Sequence, residues 1–360
     1  MRRFRSLLIC FMASAALTAC QTQTQTPTDS TSADSKEMPR ISNYQTGRLE
    51  IYDDRALNFF EQDQQAHVLA EGFEWTEGPL WVESGQYLLF SDIPRNKIMK
   101  YEPESKTLST YLDNSGWSSS THLEGYGSNG LLLNQNDELI LMQTGQRQVA
   151  LMQASLEQPK SEFLSLASHY QGKRLNSPND AVFDNNFNLY FTDPTHGLND
   201  KDKRYSELDF SGVYRINADK ELSLVSDELS FPNGIGLSTD EKTLYVAVSD
   251  KTHAAWYHFD VKSDGSLGKA KIFYDAKEEV DTSDKEHPGL PDGMSVHSSG
   301  AIFATGPHGL WLFAPDGTVL ARVFIDSLVS NAELNADESV VYLSADDYLM
   351  SFNIKKGAHL

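Results

Sequence analysis

The 360-residue chain is strongly acidic, with 51 Asp and Glu against 30 Lys and Arg and a formal net charge of −21. A surface of this charge repels phosphate backbones and anionic lipid faces, which argues against nucleic acid as a partner. Its two cysteines, Cys10 and Cys20, lie near the amino terminus, so we predict no disulfide in the folded domain.

The first twenty residues have the pattern of a bacterial lipoprotein signal. Three arginines precede an apolar run at residues 7–17, which ends in Leu17-Thr18-Ala19-Cys20. The run is short for a bilayer span, and small residues before a cysteine resemble a lipobox. We predict cleavage of residues 1–19 and membrane attachment through a lipid on Cys20, with an ordinary secretory signal as the alternative. Because residue 21 is Gln and not an inner-membrane retention Asp, we expect an outer-membrane location, facing the periplasm or the cell surface.

Residues 20–45 contain Gln-Thr repeats followed by Ser, Asp, Pro and Lys, with few apolar groups. Such a segment cannot bury enough apolar surface to fold, so we predict a flexible tether between the lipid and the domain. Residues 46–360 are predicted to form a single domain, because one repeat runs through them.

That repeat consists of a turn with an oxygen-bearing side chain, a short apolar strand, a polar gap and a second strand rich in β-branched and aromatic residues. The six turns read Glu77-Gly78-Pro79, Ser128-Asn129-Gly130, Pro178-Asn179-Asp180, Pro232-Asn233-Gly234, Pro291-Asp292-Gly293 and Ser330-Asn331-Ala332. Their spacing of roughly 40 to 60 residues is that of a four-stranded propeller blade. We therefore predict an all-β fold, a six-bladed β-propeller with four antiparallel strands per blade. A β-sandwich, the alternative, does not explain one side-chain type at one place in six units.

The oxygen-bearing residues of the six turns are here called the anchors: Glu77, Asn129, Asn179, Asn233, Asp292 and Asn331. In a propeller the first strand of every blade lines the central channel, so equivalent positions converge. Two carboxylates held there with amides would repel each other unless a cation were present. The donors are hard oxygens, which favours calcium or another hard divalent ion. Asn331 lacks the Pro or Gly context, and it either lines the channel or only forms a turn.

Several of these motifs together resemble the SMP-30/gluconolactonase/LRE family, and the resemblance runs from about residue 70 to residue 352. The motifs are Glu77-Gly78-Pro79, Arg174-Leu175-Asn176-Ser177-Pro178-Asn179-Asp180, Phe191-Thr192-Asp193-Pro194, Phe231-Pro232-Asn233-Gly234 and Pro291-Asp292-Gly293-Met294. The resemblance implies a small-molecule lactone as substrate. It also implies one divalent metal, usually calcium, bound by Glu77, Asn179, Asn233 and Asp292; zinc, manganese and magnesium remain alternatives.

The resemblance further implies that Asp292 is the proton acceptor and that Asn129 and Arg174 contact the substrate. Two positions depart from the family pattern. The chain has Gln143-Thr144-Gly145 where bacterial members tend to have Glu-His-Gly, and His196 where they tend to have Tyr. His196 follows a predicted strand and can reach the channel mouth, so we include it among the substrate-binding candidates. These departures bear on the identity of the substrate more than on the metal.

The expected activity is metal-dependent hydrolysis of a sugar-type lactone, in which the metal polarises the carbonyl and an activated water attacks. Coordination to a dication lowers a carboxylate pKa, so the roles of ligand and base conflict at Asp292. The sequence has no Gly-x-Ser-x-Gly and no His-Glu-x-x-His, which argues against a serine esterase or a zincin. Hydrolysis of an organophosphate ester and ligand binding without turnover remain alternatives. The protein is expected to be a monomer or a small homo-oligomer.

Overall fold

The computed structural model describes residues 38–117, 126–198, 206–281, 283 and 289–360. The predicted signal, Cys20 and most of the predicted tether lie outside the described residues. The described part belongs to the unit Glu37–Leu360, and nearly all of its regular secondary structure is β-strand. Its helical segments are short 3-10 turns at Asp54–Asn58, Glu83–Gly85 and Lys277–Glu279. None of the helices among the described residues has the length and apolar character needed to cross a membrane.

Blades 1 to 3 follow one another along the chain, and their strands are given from the innermost to the outermost. Blade 1 contains β4 (Thr76–Val82), β5 (Tyr87–Asp92), β6 (Lys97–Glu102) and β7 (Thr107–Asp113). Blade 2 contains β8 (Ser128–Leu133), β9 (Leu139–Gln143), β10 (Gln148–Met152) and β11 (Phe163–Ala167). A short hairpin of β12 (His169–Tyr170) and β13 (Lys173–Arg174) comes next. Blade 3 contains β14 (Ala181–Phe183), β15 (Leu189–Asp193), β16 (Gly212–Ile216) and β17 (Leu222–Ser226).

Blades 4 to 6 complete the ring. Blade 4 contains β18 (Pro232–Leu237), β19 (Thr243–Val248), β20 (Ala255–Asp260) and β21 (Lys271–Asp275). Blade 5 contains β22 (Met294–Val296), β23 (Ile302–Gly306), β24 (Gly309–Phe313), β25 (Val319–Phe324) and, outermost, β2 (Arg48–Ile51). Blade 6 contains β26 (Val329–Leu334), β27 (Val340–Ala345), β28 (Tyr348–Asn353), β3 (Ala66–Glu71) and β1 (Arg40–Thr46). The prediction of a six-bladed all-β propeller is confirmed.

The ring is closed by strands from both ends of the domain. In blade 6, β26, β27 and β28 come from the end of the chain, while β3 comes from before blade 1 and pairs antiparallel with β28. The innermost strands contact one another around the axis, from β4 through β8, β14, β18 and β22 to β26 and back to β4. Within the described residues, the innermost strand of every blade therefore contacts the innermost strands of both neighbouring blades.

The start of the folded domain was predicted at residue 46, which is the last residue of a strand that begins at Arg40. Residues 40–46 form β1, the outermost strand of blade 6, which pairs with β3 from Arg40 opposite Glu71 to Thr46 opposite Ala66. The guanidinium of Arg40 also lies 2.7 Å from the Glu71 carboxylate. The strand covers only a blade edge, so most of its side chains are exposed. Its composition therefore resembles that of a tether.

The hydrophobic core consists of clusters that lie between neighbouring blades. Leu89 of β5 packs against blade 2, whereas Leu88 and Phe90 on the same strand pack against blade 6. Side chains alternate between the two faces of a strand, and both faces of a middle strand are buried here. This arrangement explains why β5, β9, β15 and β23 are entirely buried and why they lack the alternation of apolar and polar residues seen in half-exposed strands.

Candidate functional site

The innermost strands are irregular where they carry the anchors. The pairing of β4 with β5 shifts register between Glu77 and Leu80, and the pairing of β18 with β19 shifts between Pro232 and Ile235. Similar shifts occur in β8 and β26. A bulge leaves a residue outside the regular ladder and changes the direction of its side chain. The anchors of these blades can therefore turn towards the channel.

Glycines that follow the anchors allow neighbouring innermost strands to approach at backbone contact. A Cβ at Gly78 would lie 2.2 Å from the Asn129 carbonyl oxygen, and one at Gly234 would lie 2.1 Å from that of Asp292. The Gly234 N–H donates to the same Asp292 carbonyl at 3.1 Å. A side chain at these positions would push the strands apart. The anchors in the sequences Glu-Gly, Asn-Gly and Asp-Gly must therefore be followed by glycine if the innermost strands are to meet around the axis.

A ring of buried hydroxyl groups connects each blade to the next around the channel. The donor and acceptor pairs are Ser91 to Asn129 O (2.8 Å), Thr144 to Pro178 O (3.3 Å), Thr192 to Asn233 O (2.6 Å), Ser249 to Pro291 O (2.6 Å), Thr305 to Ser330 O (2.9 Å) and Ser330 to Thr76 O (2.7 Å). The sequence analysis missed this ring. Its signal is a Ser or Thr near or just after the end of the second strand in blades 1 to 5; in blade 6 the donor, Ser330, lies on the innermost strand. These bonds fix the backbone on both sides of the anchors.

Five anchors meet at one cavity of about 410 Å³ at one end of the channel. They are Glu77, Asn129, Asn179, Asn233 and Asp292. The four predicted metal ligands and the predicted substrate contact Asn129 therefore share one site, although their roles remain predictions. Of these five anchors, all except Asp292 are more than nine-tenths buried. The amide of Asn233 is fixed by donation to the Ser249 hydroxyl at 2.9 Å.

The two carboxyl groups of the cavity are in an environment that disfavours their charge. Burial raises the pKa of Glu77 to about 8, and the nearby Asp180 adds to this, whereas a hydrogen bond from the Gly78 N–H at 3.0 Å opposes it. Burial likewise raises the pKa of Asp292, and repulsion from Glu77 and Asp180 raises it further. The cavity therefore favours a positive charge or bound protons.

Two buried oxygens of the cavity lack hydrogen-bond partners. Asn129 Oδ1 and Asp292 Oδ1 have none within the described part of the chain. Buried polar atoms are usually paired, and such exceptions often mark sites for an ion or water. Across the described ranges there is no group of three or more His, Cys, Asp or Glu side chains suited to a metal. The donor set here has two carboxylates, Glu77 and Asp292, and its other oxygens are amides, which fits a hard cation such as calcium.

Asn331 was predicted either to line the channel or only to form a turn. It lines a second cavity of about 420 Å³ elsewhere along the innermost strands. Its Nδ2 lies 3.4 Å from Asp180 Oδ2, and its amide also opposes the rise in the pKa of Glu77. Burial raises the pKa of Asp180 to about 6 and that of Glu333, on the same wall, to about 8. The sequence analysis missed Asp180 and Glu333. Asp180 could have been noticed because it stands where four other anchors are followed by Gly.

The two remaining predicted substrate contacts have different positions. His196 lines the first cavity, and its ring lies 5.0 Å from the ring of Phe231. Arg174 is not among the described residues that line this cavity. Its guanidinium donates to the Gln146 carbonyl at 2.7 Å, and its backbone N–H donates to Glu207. The structure therefore gives the predicted role of Arg174 no support, and that of His196 remains a prediction.

The segment before Asn179 is held by a buried carboxylate. Asp193 accepts the N–H groups of Asn176 and Ser177, each at 2.8 Å, while burial raises its pKa to about 7. Gln143, at one of the departures from the family pattern, is also structural, since it donates to the Ser115 carbonyl at 2.7 Å. Its neighbour Thr144 lines the cavity instead. In blade 2, the cavity is thus lined at this position by a small side chain with a hydroxyl group.

The close approach of the innermost strands predicts a specific sensitivity. We expect Gly234→Ala to lower the free energy of unfolding by about 1–3 kcal/mol, because the new methyl group would overlap the Asp292 carbonyl. Gly268→Ala is the matched control, since a Cβ there would meet its nearest atoms at an ordinary 3.5 Å. Urea unfolding monitored by tryptophan fluorescence measures both. Equal free energies of unfolding for the two variants would contradict the close approach of the innermost strands at Gly234.

Comparisons with known proteins agree with this architecture. The sequence model of the protein family described as SMP-30/gluconolactonase/LRE-like region matches residues 75–343. A gluconolactonase of Zymomonas mobilis is 32% identical over 309 residues, covering 85% of this chain and 84% of that protein. A solved Xanthomonas campestris gluconolactonase is 25% identical with a TM-score of 0.73, covering 88% of this chain and 99% of that one. Diisopropyl-fluorophosphatase of Loligo vulgaris is 26% identical over 152 residues, covering 41% of this chain and 46% of that enzyme. The chain belongs to the SMP-30/gluconolactonase/LRE-like family.

Proposed function

We propose that this protein is a divalent-metal-dependent lactone hydrolase, and that the metal is held by Glu77, Asn179, Asn233 and Asp292. One observation carries the proposal: two mutually repelling buried carboxyl groups and two unpaired buried oxygens face a single cavity. A dication removes the repulsion and gives the oxygens a partner. Calcium is the preferred ion, with zinc, manganese and magnesium as alternatives. The similarity to gluconolactonases supports a lactone, of sugar type in those relatives, as the substrate.

The reaction breaks the acyl C–O bond of the lactone ring and adds water, so that the product is a hydroxy acid. When bound, the metal supplies Lewis acidity to the lactone carbonyl. Asp292 Oδ1 is free of hydrogen bonds from the described residues, so Asp292 is our candidate to take a proton from the attacking water, although coordination to a dication would weaken it as a base. Asn129 Oδ1 can accept a hydrogen bond from a substrate hydroxyl. Asn233 is held in place through Ser249.

A second candidate function is hydrolysis of a phosphotriester. The similarity to diisopropyl-fluorophosphatase supports it, and the same oxygen-lined cavity could serve it because a dication polarises a phosphoryl oxygen as well as a carbonyl oxygen. That match covers less than half of either chain, whereas the match to the Zymomonas gluconolactonase covers more than four-fifths of both. Lactone hydrolysis is therefore the better-supported function.

Metal binding is testable without an activity assay. Calcium at about 100 times its Kd should add roughly 2.7 kcal/mol to the free energy of unfolding of the wild type, and chelator should remove this gain. Glu77→Gln should lose most of it. Glu333→Gln is the matched control, because Glu333 is a buried carboxyl with a similarly raised pKa that is not a predicted ligand. Calorimetric titration and thermal unfolding give the readouts, and a calcium response that survives in Glu77→Gln would exclude Glu77 as a ligand.

Activity is testable by pH-stat titration of glucono-δ-lactone and of a phosphotriester, each with and without chelator. We expect lactone turnover that chelator abolishes, and a fall of about 100-fold or more in kcat for Asp292→Asn, since a general base typically contributes that much. Full turnover by Asp292→Asn would remove Asp292 from the mechanism. A preference for the phosphotriester would favour the second function, and calcium binding with no turnover would favour a ligand-binding protein.

We also propose that the protein is an exported lipoprotein anchored through Cys20, because residues 1–20 have the signal pattern described above. Expressed at full length in a Gram-negative host, the wild type should incorporate labelled palmitate and sediment with the outer membrane. Cys20→Ala should lose both properties. Cys10→Ala, a cysteine inside the predicted signal, should retain them. Labelling of Cys20→Ala would place the modification elsewhere.

A further inference from the structure

The walls of the first cavity differ between its two sides. Blades 5, 6 and 1 contribute an apolar wall, here defined as Trp75, Ile93, Pro94, Leu290, Leu328 and Val329. Blades 2, 3 and 4 contribute a polar wall, defined as Tyr126, Thr144, Ser177, His196, Ser249 and Lys251. The anchors lie between the two walls. A molecule placed over the anchors therefore meets carbon on one side and polar atoms on the other.

The hydroxyls of the polar wall are held by the backbone. Thr144 donates to the Pro178 carbonyl at 3.3 Å, Ser177 to that of Pro194 at 2.5 Å, and Ser249 to that of Pro291 at 2.6 Å. Each hydroxyl hydrogen is used in this way, so the oxygens can act towards a ligand only as acceptors. Ser177 and Ser249 already accept one hydrogen bond each, from the Gly197 N–H and the Asn233 amide, and keep one further acceptor position. The polar wall is therefore suited to hydroxyl or other donor groups of a ligand.

Apart from the indole N–H of Trp75, the side chains of the apolar wall carry no hydrogen-bonding group. Val329 and Ile93 are buried, and Leu290 and Leu328 are partly buried side chains at the cavity rim. A lactone with a polar substituent on every ring carbon except the carbonyl carbon would place some of these substituents against this wall, where they would lose hydrogen bonds to water and find few replacements. A hydrocarbon substituent in the same place would gain, at about fourfold in affinity for each methylene removed from water.

We infer that the preferred substrate is an amphipathic lactone, whose ring carries an alkyl or aryl substituent against the apolar wall while its polar edge faces the polar wall. This inference rests on the proposed lactone hydrolysis and narrows its substrate class. It departs from the uniformly hydroxylated sugar lactone that the relatives suggest. The anchors and metal act on the carbonyl in both cases, so the difference lies in substrate choice.

Three lactones test the inference on the full-length, calcium-loaded protein. They are δ-valerolactone, δ-decalactone, which adds a pentyl chain to the same ring, and glucono-δ-lactone. We expect kcat/KM for δ-decalactone to exceed that for δ-valerolactone by at least about tenfold, since burying only two of its additional methylenes suffices. We also expect it to exceed that for glucono-δ-lactone, because some hydroxyls of that lactone would lose their hydrogen bonds to water at the apolar wall. A ratio near one between δ-decalactone and δ-valerolactone, or a preference for glucono-δ-lactone, would overturn the inference but leave lactone hydrolysis intact. Turnover of none of the three would overturn the proposed function itself, and the inference with it.

Substitution of the apolar wall gives an independent test. Leu328→Gln should reduce the ratio of kcat/KM for δ-decalactone over δ-valerolactone by about fivefold or more. Leu290→Gln, on another blade of the same wall, should act in the same direction. Leu164→Gln is the control, because Leu164 is an exposed leucine on the outermost strand of blade 2. Thermal unfolding checks that all three variants fold. An unchanged ratio in both wall variants would show that the substituent does not contact the apolar wall.

Discussion

Six innermost strands meet around one axis at backbone contact, and this crowding determines the rest of the site. At Gly78 and Gly234 the neighbouring strand passes so close that a methyl group would not fit. Buried hydroxyls then donate across each blade boundary, for example from Thr192 to the Asn233 carbonyl at 2.6 Å. In four of the blades the bulged backbone can turn the anchor side chain towards the channel. Side chains far apart in sequence therefore converge with little freedom to move.

Convergence has an electrostatic cost, because some of these side chains are carboxyl groups. In addition to the effect of burial, Asp180 raises the pKa of Glu77, and Glu77 and Asp180 both raise that of Asp292. Glu333 extends the acidic lining, and Asp180 raises its pKa as well. The described residues around the anchors provide few hydrogen bonds to offset this cost, and two oxygens have none. A protein that retains such a destabilising centre gains most from a ligand of positive charge, and the proposal of a bound dication follows from this.

The sequence predicted the parts of the structure that repeat. A turn with an oxygen-bearing side chain recurred six times, and equivalence around an axis placed Glu77 and Asp292 together without any contact information. The parts that do not repeat were harder. Asn331 occupies the anchor position of the sixth repeat but lines the second cavity, where its amide donates to Asp180 Oδ2. Arg174 lies in a short hairpin whose direction no repeat specifies, and β1 is an exposed edge strand whose composition resembles that of a linker.

Five anchors form the floor of the first cavity, whereas its two walls come mainly from other elements. The residues proposed to act on the carbonyl are therefore largely separate from those proposed to select the substrate. The anchors lie on or directly before the innermost strands, whose positions are fixed by their neighbours. Most wall residues lie in loops that precede or follow the first two strands of a blade, such as Pro94, His196 and Leu328. Loops accept change at little cost to the fold. The motifs that identify the family belong mainly to the floor, so membership supports the chemistry at the carbonyl, whereas the substrate must be argued from the walls of this chain.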